Sequence, residues 1–137
     1  MKQRIYIDTS VVGGYFDDVF KNDTKGLFKR FENNEIIFVI SDLLDVELLD
    51  APAKVRELLY KYSADKFERI LLTEEAMKLA DTYIVEKVVG KTSLEDCRHI
   101  ALATINRVDV LASWNFKHIV NLEKIKGYNS VNLRLGY

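Results

Sequence analysis

Ile36-Ile37-Phe38-Val39-Ile40 is an unbroken run of five apolar residues, with no polar residue alternating among them. A strand with one face in water alternates, whereas a continuous β-branched and aromatic run suits a strand buried on both faces. Such strands belong to parallel sheets covered by helices on each side. Two further runs repeat the theme. Arg4-Ile5-Tyr6-Ile7 ends at Asp8-Thr9-Ser10, a cluster of helix-capping side chains, and Val108 to Trp114 is apolar apart from Asp109 and Ser113. Ile70-Leu71-Leu72 is a third, shorter candidate strand.

Helical segments separate these runs. Gly13-Gly14 predicts a short or irregular helix after the first strand. Asn22 to Asn33 predicts one with Leu27, Phe28 and Phe31 inward, Ser41 caps one from Asp42 to about Asp50, and Pro52 opens one reaching Tyr62. Thr73-Glu74-Glu75 starts a helix running to Gly90 with Ala76, Leu79, Ala80, Tyr83 and Ile84 as its apolar face. Ser93 starts another through Ile105. Phe116 to Lys126 reads as helical, ended by Gly127, and Val131 to Leu135 as an edge strand. Strands alternating with helices predict an α/β fold with a parallel, doubly wound sheet in a single domain over residues 1–137.

Composition narrows the chemistry. One cysteine, Cys97, excludes an intrachain disulfide and a cysteine-built zinc site, and two histidines exclude a histidine-rich metal cage. The net charge of −1 supplies no global basic field for nucleic acid. No stretch approaches the length needed to cross a bilayer, so a cytoplasmic protein with no membrane partner is expected.

The informative acids are those standing where an apolar side chain belongs. Glu47 falls between Leu43 and Leu44 on its helix, flanked by Val46 and Leu48, so it interrupts an apolar stripe. An inward carboxylate needs a partner, either an arginine or a cation shared with other acids. Asp96 lies between Ile100 and Ala103 on its own helix. Ser93-Leu94-Glu95-Asp96 also resembles a capping box, which would make Asp96 structural. Asp8 sits where the first strand ends, the place where ligands gather in open α/β sheets. It could be a plain helix cap, although Thr9 and Ser10 offer the same service.

Asn115 follows Ser113-Trp114 just past another strand. Alone it reads as a turn residue, but its carboxamide can give an oxygen to a hard cation or position a water. Three carboxylates and such a group suit Mg²⁺ or Mn²⁺, and converging anions need that cation to stand together. The chemistry served best is phosphodiester hydrolysis, with the cation activating water and neutralising the developing charge.

These pieces resemble the PIN-domain family in order and spacing. They are Ile7-Asp8-Thr9-Ser10-Val11-Val12, Ser41 followed by Glu47, Leu94-Glu95-Asp96-Cys97-Arg98-His99-Ile100-Ala101-Leu102-Ala103, and Asp109-Val110-Leu111-Ala112-Ser113-Trp114-Asn115-Phe116. The resemblance spans nearly the whole chain. It implies a Rossmann-like three-layer α/β/α sandwich and an Mg²⁺- or Mn²⁺-dependent ribonuclease. Its small members are commonly VapC-type toxins of type II toxin–antitoxin pairs, so RNA substrate, an antitoxin protein and a homodimer are expected.

Carried over by position, Asp8, Glu47 and Asp96 match the family's metal-binding acids, and Asn115 stands where the family usually has aspartate. That change removes one negative charge, so one weakly held cation is expected rather than two. Thr9 would lend a hydroxyl, His99 would hydrogen-bond locally, and Lys117, Arg98 or the lysines near the C-terminus would hold flanking phosphates. A haloacid-dehalogenase-type phosphotransferase needs a second aspartate where Ser10 stands, and a response-regulator receiver needs an acid pair where only Asp8 is found. The remaining rivals are a PIN-fold module that binds RNA or protein without cutting, and a housekeeping RNA-processing nuclease.

Overall fold

A computed structural model describes residues 1–88, 90 and 93–137. Four parallel strands, β1 (Gln3–Ile7), β2 (Ile36–Ser41), β3 (Glu68–Ile70) and β4 (Val110–Ala112), form one sheet in the order β3-β2-β1-β4. Among the described residues seven helices accompany them: α1 (Thr9–Gly14), α2 (Lys21–Glu32), α3 (Asp42–Leu48), α4 (Ala53–Arg56), α5 (Glu74–Val85), α6 (Leu94–Ile105) and α7 (Leu122–Arg134).

The unbroken apolar run of β2 has the predicted cause. Ile36, Phe38 and Ile40 enter one core with Ile5 and Ile7 of β1, Val11 and Val12 of α1, and Phe28 and Phe31 of α2. Val39 points to the opposite core, with Tyr6 and the apolar faces of α5, α6 and α7. Strands β1 and β2 therefore divide their side chains between two buried layers, and the result is a three-layer α/β/α sandwich. Aromatic packing fills the first core, with Phe38 stacked on Phe31 at 4.3 Å between centroids and edge-on to Phe28 at 5.1 Å. Among the described residues no helix is long and apolar enough to cross a membrane.

Several elements depart from the sequence-based expectations. The helix opened by Pro52 stops at Arg56, and the chain continues as short 3₁₀ turns at Leu58–Lys61 and Ala64–Lys66. Val55, Leu58 and Leu59 still bury together, so the apolar spacing survives where the α-helical hydrogen bonding does not. Strand β3 lies two residues earlier than Ile70-Leu71-Leu72. Leu71 is exposed, and the Leu72 N–H is captured by the Asp42 carboxylate at 2.8 Å, which ends the ladder. Helix α5 ends at Val85 rather than Gly90; Val89, within the expected stretch, lies outside the described residues.

The C-terminal region differs most. Residues after Asn115 form turns, and the helix begins only at Leu122, where the Asn121 side chain caps it by accepting the Lys124 N–H. It then passes through Gly127 and takes in the expected edge strand Val131–Leu135. Tyr128, Val131 and Asn132 bury at helical spacing, while Leu133 stays 79% exposed. Gly127 does not stop the helix because it serves packing: a Cβ there would stand 2.7 Å from Val88 Cγ1.

Gly14 is a similar close approach. A Cβ at this position would lie 2.6 Å from the Trp114 indole and 2.8 Å from the Thr24 hydroxyl. Gly14→Ala is expected to destabilise the chain by about 1–3 kcal/mol through overpacking. Urea unfolding followed by the fluorescence of Trp114, the only tryptophan, measures this directly.

Candidate functional site

Strand β1 is joined through α2 to β2 on one side, while β4 pairs on its other side. The carboxyl ends of β1 and β4 thus flank a topological switch point, where open α/β sheets bind ligands. Asp8 follows β1 there and Ser113 follows β4.

Asp8 is buried, with 4% of its surface exposed, and its carboxylate is heavily engaged. Oδ1 accepts the Val11 N–H at 3.1 Å and the Ser10 hydroxyl at 2.6 Å, and Oδ2 accepts the Ser113 hydroxyl at 2.5 Å. Asp8 is therefore the N-cap of α1, a service for which Thr9 and Ser10 were the alternatives. Those two side chains turn elsewhere. Ser10 accepts the Trp114 N–H at 2.8 Å, which ties the end of β4 to the start of α1, and Thr9 donates to Glu47.

Glu47 is half-buried, as the interrupted stripe of α3 predicts, although its neighbour Val46 is exposed. Its partner is a histidine and no arginine. Glu47 Oε1 lies 2.6 Å from His99 Nε2 and also accepts the Thr9 hydroxyl. Burial pushes the Glu47 carboxyl upward, but the His99 hydrogen bond and charge, with the Thr9 hydroxyl, outweigh it and hold the group below its ordinary value. His99 is buried in turn, with Nδ1 2.5 Å from the Tyr6 phenol, which lies 2.9 Å from the Ser41 hydroxyl. Ser41 also caps α3 by accepting the Leu44 N–H. Burial drives the Tyr6 phenol far above its ordinary value, so it remains protonated.

Asp96 stands in the first turn of α6. Ser93 makes no side-chain cap there, and its N–H bonds the Gly90 carbonyl, so the expected capping box is absent. Burial raises the Asp96 carboxyl above its ordinary value and the Asp8 charge adds to this, against the Asn115 amide and the charges of His118 and His99. Asp8, Asp96 and Asn115 are thus electrostatic neighbours. Asn115 Oδ1 accepts the His118 N–H at 3.0 Å, so it is also the turn residue its type suggests. Lys117 is exposed beside it, whereas Arg98 pairs with Glu95 at 3.6 Å.

The oxygen-only donor set and its negative charge fit a hard divalent cation in kind. Asp96, destabilised as an anion, and Glu47, whose Oε2 has no hydrogen bond among the described residues, are the groups with most to gain from one. Among the described residues, however, no three acidic, histidine or cysteine side chains are gathered closely enough to hold a metal ion. Sequence reasoning passed over Tyr6 and His118. A tyrosine inside an apolar strand run carries no site signal, and His118 Nδ1, buried without a hydrogen-bond partner among the described residues, is signalled only by its place three residues after Asn115.

The two carboxyl shifts have opposite consequences. Glu47, held low, contributes stability that is present above the ordinary carboxylate range of about 4.3 and lost as pH falls through its lowered value. Asp96, held high, costs stability once ionised, and this cost vanishes as pH falls through its raised value toward the ordinary value of about 3.9. Asp96→Asn is expected to raise the melting temperature at pH 7, by a margin that shrinks to nothing in acid. Calorimetric melting at pH 7, 5 and 3.5 checks the sign. No family model matches the chain, and no curated protein matches it.

Proposed function

We propose that the chain is a metal-dependent ribonuclease of PIN type, hydrolysing RNA phosphodiester bonds, and the toxin of a type II toxin–antitoxin pair. The observation that carries the reading is Asp96. It is an acid in the first turn of α6 that caps nothing, is half-buried, and is pushed toward its neutral form by burial and by Asp8. A carboxylate kept at such a cost beside a switch point is a functional signature.

Asp8, Asp96 and Glu47 would hold one Mg²⁺ or Mn²⁺ ion. When bound, that ion polarises the phosphodiester and lowers the pKa of water. The chain's own groups do the rest. Ser10, Ser113 and the Val11 N–H hold Asp8 in one orientation, so its charge is preorganised. The Asn115 carboxamide, beside Asp96, orients the attacking water, and exposed Lys117 steadies a flanking phosphate. Water adds across the P–O bond, giving a phosphate monoester on one fragment and a free hydroxyl on the other. Antitoxin binding and a homodimer belong to the same reading. A short antitoxin-like reading frame beside the gene separates the toxin from a housekeeping nuclease.

One observation favours a second reading. Three donors already engage Asp8, and among the described residues no three acidic, histidine or cysteine side chains are gathered for a metal. A PIN-fold module that binds RNA or protein without cutting would look the same.

Cleavage of a mixed RNA panel with Mg²⁺, Mn²⁺ or EDTA tests the two. Metal-dependent cutting is expected, and Asp96→Asn should reduce it at least about 10²-fold, as loss of an electrostatic stabiliser does. Asp96→Asn is the cleaner variant because Asp8→Asn also weakens the α1 cap. Activity equal in the variant and the unaltered protein marks a contaminating ribonuclease, and absence of both cutting and Mn²⁺ binding favours the binding module. Asn115→Asp adds the missing negative charge and is expected to tighten Mn²⁺ binding by about tenfold in calorimetry.

A further inference from the structure

We propose that His99 is the positioning residue of Glu47, the last member of a buried hydrogen-bonded chain that fixes which carboxylate oxygen meets the cation. The proposal rests on the nuclease reading above. Five elements contribute one group each: Ser41 from β2, Tyr6 from β1, His99 from α6, Glu47 from α3 and Thr9 from α1. Ser41, Tyr6 and His99 are all buried, with consecutive contacts of 2.9 and 2.5 Å leading to the 2.6 Å contact on Glu47.

The direction of the last contact follows from chemistry. A glutamate at neutral pH is a carboxylate with no proton to give, so across the 2.6 Å contact His99 Nε2 must carry the hydrogen and donate it. Thr9, whose hydroxyl has no other hydrogen-bond acceptor among the described residues, donates to the same Oε1. Two donors on Oε1 immobilise the carboxylate and leave Oε2 as the free ligand oxygen. Tyr6 holds the imidazole ring from behind, and an edge-on contact at 5.6 Å between ring centroids keeps its plane. Histidine suits the task because one ring nitrogen donates while the other accepts across one rigid ring, whereas lysine and arginine offer donors only.

Two variants with the same buried carboxamide separate positioning from packing. In His99→Gln the amide reaches toward Glu47, whereas in His99→Asn it stays near Tyr6 and falls short. His99→Asn is expected to weaken Mn²⁺ binding by about tenfold or more and to lower kcat/KM similarly, with His99→Gln within about threefold of the unaltered protein. Equal behaviour of the two variants overturns the proposal, and so does an unaltered Mn²⁺ affinity in His99→Asn.

A metal-free readout stands beside these. With only two histidines, ¹⁵N–¹H multiple-bond spectra of the ring nitrogens are assignable through His118→Gln. They should place a proton on His99 Nε2 and shift on Glu47→Gln. A bare Nε2, or a His99 signal indifferent to Glu47→Gln, overturns the proposal without reference to activity or to the folding of the His99 variants. If the unaltered chain neither binds Mn²⁺ nor cuts RNA, the nuclease reading fails and takes the catalytic part of the proposal with it. If it does both and His99→Asn does so equally well, His99 alone is wrong.

Discussion

The Asp8 carboxylate holds together the end of the sheet on which everything else is built. One oxygen closes the first turn of α1 and the other binds the hydroxyl of Ser113, so a single buried side chain joins the central strand, the helix leaving it and the edge strand beside it. Ser10 completes the tie by accepting the Trp114 N–H. A buried carboxylate is tolerable only where donors satisfy it, and here two come from α1 and the third from Ser113, 105 residues along the chain. With α1 and β4 tied to one carboxylate, Trp114 stacks on Phe20 at 5.2 Å and Gly14 lies close against its indole.

Two of the buried polar arrangements in this sandwich differ in kind. The chain from Ser41 through Tyr6 and His99 to Glu47 is satisfied along its length, and such networks rigidify the elements they connect. The neighbourhood of Asp96 is not. Its carboxyl is pushed up by burial and by Asp8, and His118 Nδ1, three residues after Asn115, is buried without a hydrogen-bond partner among the described residues. Satisfied polar groups explain themselves as architecture. Unsatisfied ones call for a different explanation, which is why Asp96 and not Asp8 carries the functional proposal.

The same contrast separates legible from illegible features. The double burial of β2 and the caps at Ser41 and Thr73 are properties of short segments, and the sequence expresses them directly. The inward turn of Glu47 was equally legible from its helix, but its partner was not. His99 lies 52 residues away, and only the packing of α6 against the sheet brings the two together. Gly127 misled for a related reason. A glycine in a helical pattern reads as a stop signal, whereas here it makes room for Val88, and α7 runs on through what looked like an edge strand.

What the sequence by itself determined is the alternation of strands and helices, the two-sided burial of the central strand, and the presence of acids and an asparagine at strand ends and helix starts. Each of these follows from periodicity or capping chemistry acting over a few residues. The tertiary structure alone decided which of those polar groups are spent on the fold and which are left over. Asp8 became a cap with three donors, Glu47 gave one oxygen to His99 and Thr9 and kept the other, and Asp96 was left half-buried and unfavourably charged. Desolvation and hydrogen-bond satisfaction depend on what distant segments bring into contact, and no local pattern carries that information.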